Sequence, residues 1–311
     1  MAVQAASPFA VTSGRGRRRR MVGRLMEGLS TLAALLAIVV LALVVYAVAR
    51  RGLPALSVDF FTKVPGTDAF GNPTGGLSNA LVGSLVITAL ATVIAVPFGV
   101  LIAVFNNEFA PARVADTVRL MLNVLAGIPT VVIGVFVFGL MVENSTGFAL
   151  FGFQLIGAGY SAEAAAVALS IVMVPLIARS TEEVLALVPS HLREGGMALG
   201  ATRARTVLTV ILPTAVGGIV TSTIVAVARA AGETAPLLFT SAIFANAVVT
   251  DPTKSMGSLP IAIYEDSELP SKFAQQQAWA AALVLMAVVL IGAIAGRLLS
   301  LRSRRQIERA R

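Results

Sequence analysis

Long apolar runs alternate with short polar connections along this 311-residue chain. A window of about 19 residues picks out six of them: Leu25–Ala49, Ser78–Phe105, Val118–Val142, Ala162–Ala178, Thr214–Val249 and Gln277–Leu299. A helix needs about 20 residues to cross the hydrocarbon of a bilayer. The pattern therefore predicts an all-α integral membrane protein with six transmembrane helices. The fourth run is short. The fifth is overlong and is interrupted by GETAP, Gly232–Pro236. Pro97, Pro129, Pro175 and Pro236 fall inside runs. Broken helices are tolerated where neighbouring helices or a water-filled path satisfy the freed backbone groups. Such breaks suit a transporter-like bundle and an ordinary packed bundle alike.

Composition agrees. The chain is 57% hydrophobic and 13% charged, with a mean hydropathy of +0.86, whereas a soluble domain is about a quarter charged. There is no cysteine, so disulfides, thiolate metal sites and cysteine nucleophiles are excluded. One histidine, His191, leaves no multi-histidine metal centre; it is expected at a solvated loop position.

Charge sets the orientation. With six spans, both termini lie on one side. That side collects eighteen of the 24 Lys and Arg, including RGRRRR at Arg15–Arg20 and the six arginines from Arg297 to Arg311. The other side holds Arg50, Arg51, Lys63, Lys254 and Lys272. Positive loops stay cytoplasmic, so both termini are expected inside. Basic clusters that flank apolar runs read as membrane topology signals rather than nucleic-acid sites. The expected organisation is a basic, disordered cytoplasmic tail (1–24), a six-span domain (25–299) with a cytoplasmic loop at 179–213, and a second basic tail (300–311). The first apolar run exceeds the 7–15 residues of a signal-peptide core, so it reads as a retained span.

Ser180–Gly218 is the informative loop. STEEVLALVP reads as a short amphipathic helix capped by Ser180, with Glu183 three positions on. Gly195, Gly196, Ala198, Gly200 and Ala201 follow as a small-residue surface that another protein can approach closely, and Glu194, Arg203 and Arg205 can fix register by charge. A loop of this length with its own pattern is seldom a mere connector.

VARAAGETAPLLF, Val227–Phe239, places two charges in an apolar region. An intramembrane arginine costs at least about 2.5–3.5 kcal/mol on insertion scales. At i and i+4 on one helix, Arg229 and Glu233 would share a face and partly neutralise each other. At 1.5 Å per residue, Arg229 lies about 24 Å along the helix from Pro213. The pair is either a structural ion pair or a charged station on a polar path. An arginine fork matches an oxyanion, and the adjacent carboxylate would keep binding weak enough for release. Arg179 is a second possible anion contact or a positive-inside anchor. Asn123 and Thr130 could line a path. Ser78 could cap its helix after Gly75 and Gly76. The acidic stretch YEDSELPSK, Tyr264–Lys272, could touch an extracytoplasmic protein.

Glu194, Gly200, Val210, Leu212 and Pro213 resemble the EAA loop of ABC-importer permeases: E-A-A, a Gly six residues after the Glu, nine residues, then I-x-L-P. Gly195 and Gly196 stand where the pattern has two alanines, and Val210 where it has Ile. Each such glycine weakens helicity by about 1 kcal/mol. The resemblance implies a type I importer permease bundle whose loop forms a coupling helix on a cytoplasmic ATPase. ARAAGETAPLLFT (Ala228–Thr240), AGIPTVVIGV (Ala126–Val135) and GGLSNALVGSL (Gly75–Leu85) are similar to phosphate-specific permeases of the PstA type.

This similarity implies a subunit for inorganic phosphate. Its partners would be a homologous PstC-type permease, a PstB-type ATPase dimer carrying ATP and Mg, and a PstS-type extracytoplasmic binding protein, all in the bacterial cytoplasmic membrane. The chain has three lysines and none follows a glycine, so it holds no phosphate loop of its own. Permeases for sulfate or molybdate and a non-transporting scaffold remain alternatives. An intramembrane enzyme lacks a second buried acid–base set to support it.

Overall fold

The computed structural model describes residues 14–69, 73–143, 148–150, 153–156, 159–241 and 247–309. The expected disordered tail lies partly outside these residues. From Gly14 onward it is helical, because the arginines simply continue the first span. That helix, α1 (Gly14–Gly52), makes up most of one compact unit that ends at Arg50.

Residues 51–311 form the second unit. A 3-10 turn (Leu53–Ala55) and α2 (Val58–Thr62) lead into a hairpin of β1 (Pro65–Thr67) and β2 (Pro73–Gly75). Then α3 (Ser78–Val104) widens into a π-helical end at Phe105–Phe109. The third run is not straight. α4 (Ala112–Gly127) and α5 (Thr130–Val137, extended in π geometry to Val142) meet at 92° over Ile128–Pro129. A second hairpin, β3 (Phe148–Leu150) and β4 (Phe153–Ile156), precedes α6 (Ala162–Ala186). α7 (Ser190–Ala198) and α8 (Arg203–Thr206) follow, and a π segment (Val207–Ile211) joins α8 to α9 (Leu212–Ala230). The unit closes with α10 (Ala235–Thr240), α11 (Leu259–Glu268) and α12 (Lys272–Arg309). Five helices are long and apolar enough to cross a membrane, and the bent α4–α5 pair makes six among the described residues. The six-run expectation holds in that sense.

The four prolines divide by local geometry. Pro97 and Pro175 sit inside continuous helices. Pro129 is the N-cap at the 92° bend, and Pro236 lies in the first turn of α10, where a missing N–H costs nothing.

α6 is the central helix. Of its most apolar 18-residue window 61% is buried, against 22% for α3 and 17% for α12. Its mean hydropathy is also the lowest of the spans, 1.8, because it meets protein rather than lipid and packs through alanines. Ala162, Ala164, Ala165, Ala166 and Ala168 are fully buried. So are Ala91 and Ala95 on α3, and they join Leu169, Met173 and Ile177 in one core. Small residues let the backbones approach closely, since packing rather than hydrophobic exclusion drives helix association in lipid. A Cβ on Gly99 would lie 2.7 Å from Ile177 Cγ2. The same logic places Gly134 of α5 against α10: a Cβ there would lie 2.7 Å from Pro236 Cα.

Candidate functional site

Three sequence expectations change locally. STEEVLALVP is not a separate helix. α6 runs through it to Ala186, so Ser180 lies mid-helix and its hydroxyl donates to the Leu176 carbonyl (2.7 Å) instead of capping. Ser78 likewise follows the N-cap Leu77 and donates to the Lys63 carbonyl (2.8 Å). The fifth run starts earlier than its hydropathy suggests and breaks where GETAP interrupts it. A helical stretch covers Arg203–Ala230, a turn follows, and α10 starts at Ala235; residues 242–246 of that run lie outside the described residues.

That break separates Arg229 from Glu233. The N–H groups of Gly232 and Glu233 close tight turns onto the carbonyls of Arg229 (3.2 Å) and Ala230 (3.0 Å). The two charges therefore do not share a continuous helix face, and no ion pair joins them. Arg229 is exposed at the end of α9 and Glu233 is half-buried. Arg179 is exposed on α6 but lies toward the end that leads into α7, whereas Arg229 ends a helix that starts there. The two arginines do not form one cluster. Asn123 is exposed on α4 and Thr130 half-buried on α5.

The EAA-like segment resolves into parts with distinct physical reasons. α7 ends at a Schellman cap. Gly200 adopts φ +84, its N–H reaches the Met197 carbonyl (2.9 Å), and the Ala201 N–H reaches the Gly196 carbonyl (3.3 Å). Gly196 faces inward, where a Cβ would lie 2.6 Å from Thr206 Cγ2; Gly195 has open space around it. Leu212 packs into the core beneath α7, with Leu185, Val188, Val207 and Ile211. Pro213 follows the π segment, whose wider turn accommodates a ring that blocks the i−4 hydrogen bond. The outer face of α7 is left open: His191, Glu194, Gly195 and Ala198 are exposed, and Leu199 just beyond is 91% exposed. These positions recur at helical spacing, so α7 presents one face to the bundle and one outward.

One charged pair beneath α7 carries no motif signal. Arg193 Nη2 and Nε bond Glu108 Oε1 at 2.8 and 3.1 Å, and Nε reaches Oε2 at 3.2 Å. The Glu108 side chain is 3% exposed. The same guanidinium bonds the carbonyls of Leu185 (2.9 Å) and Val188 (2.6 Å), at and just beyond the C-terminal end of α6. Removing one partner of a buried pair typically costs about 3–5 kcal/mol, because the other charge is left uncompensated. Only the apolar character around Glu108 in FNNEFAP hints at it in the sequence.

At the opposite end of α3 a cavity of about 700 Å³ opens between the β1–β2 hairpin, α11 and the start of α12. Glu265, Asp266, Ser258 and Gln277 line it. Burial, followed by the neighbouring Asp266 carboxylate, pushes Glu265 up to about 7; burial pushes Asp266 up to about 6. Both groups hold protons more tightly folded than unfolded. The stability tied to them is full below their ordinary values of 3.8 and 4.5 and is lost as pH rises through about 6 and 7. Glu265→Gln is expected to flatten the fall in melting temperature of the detergent-solubilised protein between about pH 5 and 8. An unchanged slope would remove Glu265 as its source.

Comparison with known proteins fits this geometry. Residues 95–305 match the family described as binding-protein-dependent transport system inner membrane component. The probable phosphate transport system permease protein PstA of Methanocaldococcus jannaschii is 36% identical over 256 residues, 82% of this chain and 85% of that protein. PstA of Haemophilus influenzae is 34% identical over 273 residues, 88% and 91%. PstA 1 of Mycobacterium tuberculosis H37Rv is 38% identical over 216 residues, 69% and 66%. The fold is similar to that of a chain of the MetNI methionine ABC transporter, a structure described as showing that transporter's inward facing conformations, with a TM-score of 0.54 and 22% identity over 72% of this chain and 93% of that one.

With six candidate spans and a family match over most of its length, the chain belongs to the inner membrane permeases of binding-protein-dependent ABC importers.

Proposed function

We propose that the chain is the PstA-type permease of an ATP-driven phosphate importer. It forms half of the translocation path with a homologous PstC-type permease in a bacterial cytoplasmic membrane. Both termini and α7 face the cytoplasm, where α7 meets a PstB-type ATPase dimer that binds ATP and Mg; the chain itself binds no cofactor. A PstS-type protein delivers phosphate from outside. The single carrying observation is Arg229, exposed at the end of a spanning helix and without an ion pair among the described residues. Lipid would not stabilise a bare guanidinium there, so it faces a polar path or the partner permease. There its fork can receive an oxyanion, while Glu233, on the turn beyond, limits residence.

The substrate is tested by radiolabelled phosphate uptake at low phosphate, in cells deleted for their own copy of this subunit. The intact chain is expected to restore uptake, and excess sulfate or molybdate to leave it unchanged. No rescue in the presence of the partner subunits would overturn the phosphate reading, and competition by sulfate or molybdate would replace it with a broader oxyanion importer.

A further inference from the structure

α7 touches the bundle through few side chains. Leu192 packs over the core formed by Leu185, Val188 and Val207, and Gly196 rests on Thr206. The polar tie is Arg193. Its five N–H donors sit in a rigid fork, and two other elements occupy it. Nε and Nη2 hold Glu108 at the π-helical end of α3, and Nη1 and Nη2 hold the Val188 and Leu185 carbonyls at the end of α6. Those carbonyls carry the negative end of the α6 dipole, so the cation is favoured there as well. Asn107 Nδ2 adds a bond to Glu108 Oε1 at 2.7 Å, fixing the carboxylate in turn. Glu108 is buried in a segment with no other basic side chain paired to it.

α3 and α6 form the most extensive helix pair of the bundle, and both spans end at this guanidinium. The outward face of α7, by contrast, is free of such ties. We propose that Arg193 and Glu108 are the mechanical joint of the transporter. Displacement of α7 by the ATPase enters α3 and α6 together through the guanidinium, and the paired spans move as one body. Arg193 is a positioning residue here: it touches no substrate and acts through the elements it ties. This rests on the reading of α7 as the ATPase-facing helix.

A lysine cannot replace it. An ammonium has three donors at one point and cannot span a carboxylate and two carbonyls held in a planar fork. Arg193→Lys is expected to loosen the joint while keeping the charge. Since a single deletion leaves a buried charge that could unfold the segment, the deciding variant is the neutral pair Glu108→Gln with Arg193→Met.

The experiment uses the complete complex in proteoliposomes with radiolabelled phosphate and ATP. The neutral pair is expected to assemble and to hydrolyse ATP within about twofold of the parent, while phosphate moved per ATP falls about tenfold, equivalent to about 1.4 kcal/mol of lost coupling. Arg193→Lys should fall between. The chain has no native cysteine, so a second arm introduces Glu108→Cys and Arg193→Cys alone. A short bis-maleimide bridging the two should restore transport per ATP. A third arm reads span movement without phosphate: a single Ser222→Cys on α9 should change its maleimide labelling rate when ATP is added to the parent complex, and not when the neutral pair is also present. Normal transport per ATP in the neutral pair, a parallel fall of hydrolysis and transport, or a bridged cysteine pair that stays uncoupled would each overturn the joint. If the parent complex moves no phosphate, yet its labelling responds to ATP and that response is lost in the neutral pair, the substrate reading falls and the joint stands; a response kept in the neutral pair overturns the joint.

Discussion

Arg229→Gln is expected to abolish most phosphate uptake while the complex assembles at its normal level. The substitution keeps a polar hydrogen-bonding side chain, though a shorter one, and removes the charge and the fork. A hydrogen bond to a charged group contributes about 1.5–3 kcal/mol, and each 1.4 kcal/mol is a factor of ten, so uptake at low phosphate should fall by about one to two orders of magnitude. The loss should shrink at high phosphate if Arg229 acts mainly by binding the anion. Arg229→Lys should recover part of the rate, since a point charge attracts phosphate without matching it bidentately. The structure sharpens this expectation. With no carboxylate partner among the described residues, the arginine has little structural role to lose. Uptake retained by Arg229→Gln would leave phosphate transport in place and reduce Arg229 to a contact with the partner permease. Reduced amounts of complex would point the same way.

The second large effect is at the seat of α7. Gly196→Ala is expected to lower transport by about tenfold, because its methyl would stand 2.6 Å from Thr206 Cγ2 and Thr206 is 2% exposed, with no room to retreat. Overpacking of this kind costs about 1–3 kcal/mol, and it would lift α7 from its seat on the bundle. Thr206→Ala should rescue it. The remaining Cβ lies at 3.3 Å, and the Thr206 hydroxyl has no hydrogen-bond partner to lose. Gly195→Ala, one residue away in open space, should be neutral or stabilise α7 by up to about 1 kcal/mol of helix propensity. Uptake assays on the three variants check the pattern. Equal effects at 195 and 196 would show that propensity, and not the seat, decides. The departure from alanine at 196 is thus tied to Thr206, which fills the space a methyl would otherwise use.

Much of this protein was legible in its hydropathy and charge. Runs of about 20 apolar residues must become helices in lipid, since no water is there to satisfy a bare backbone. The Glu194–Pro213 spacing located α7, and the Gly200 position follows from a helix end that needs a left-handed residue. What one-dimensional pattern could not show is where a helix stops or whom a charge meets. The i, i+4 spacing of Arg229 and Glu233 predicts a pair only if the helix continues, and the chain instead closes turns at Gly232 and Glu233, so the helix ends at Ala230 and the two charges do not meet. STEEVLALVP has the marks of a capped helix, yet α6 extends through it because Thr181 and Leu185 bury on the bundle. A 92° bend is invisible to a hydropathy window, which counts apolar residues and not direction. Arg193 and Glu108 lie 85 residues apart. The sequence by itself determined which segments are long and apolar enough to enter the membrane and where α7 lies; only the tertiary structure decided that one guanidinium ties three elements together, because such a bond depends on distances between chain segments that no local pattern encodes.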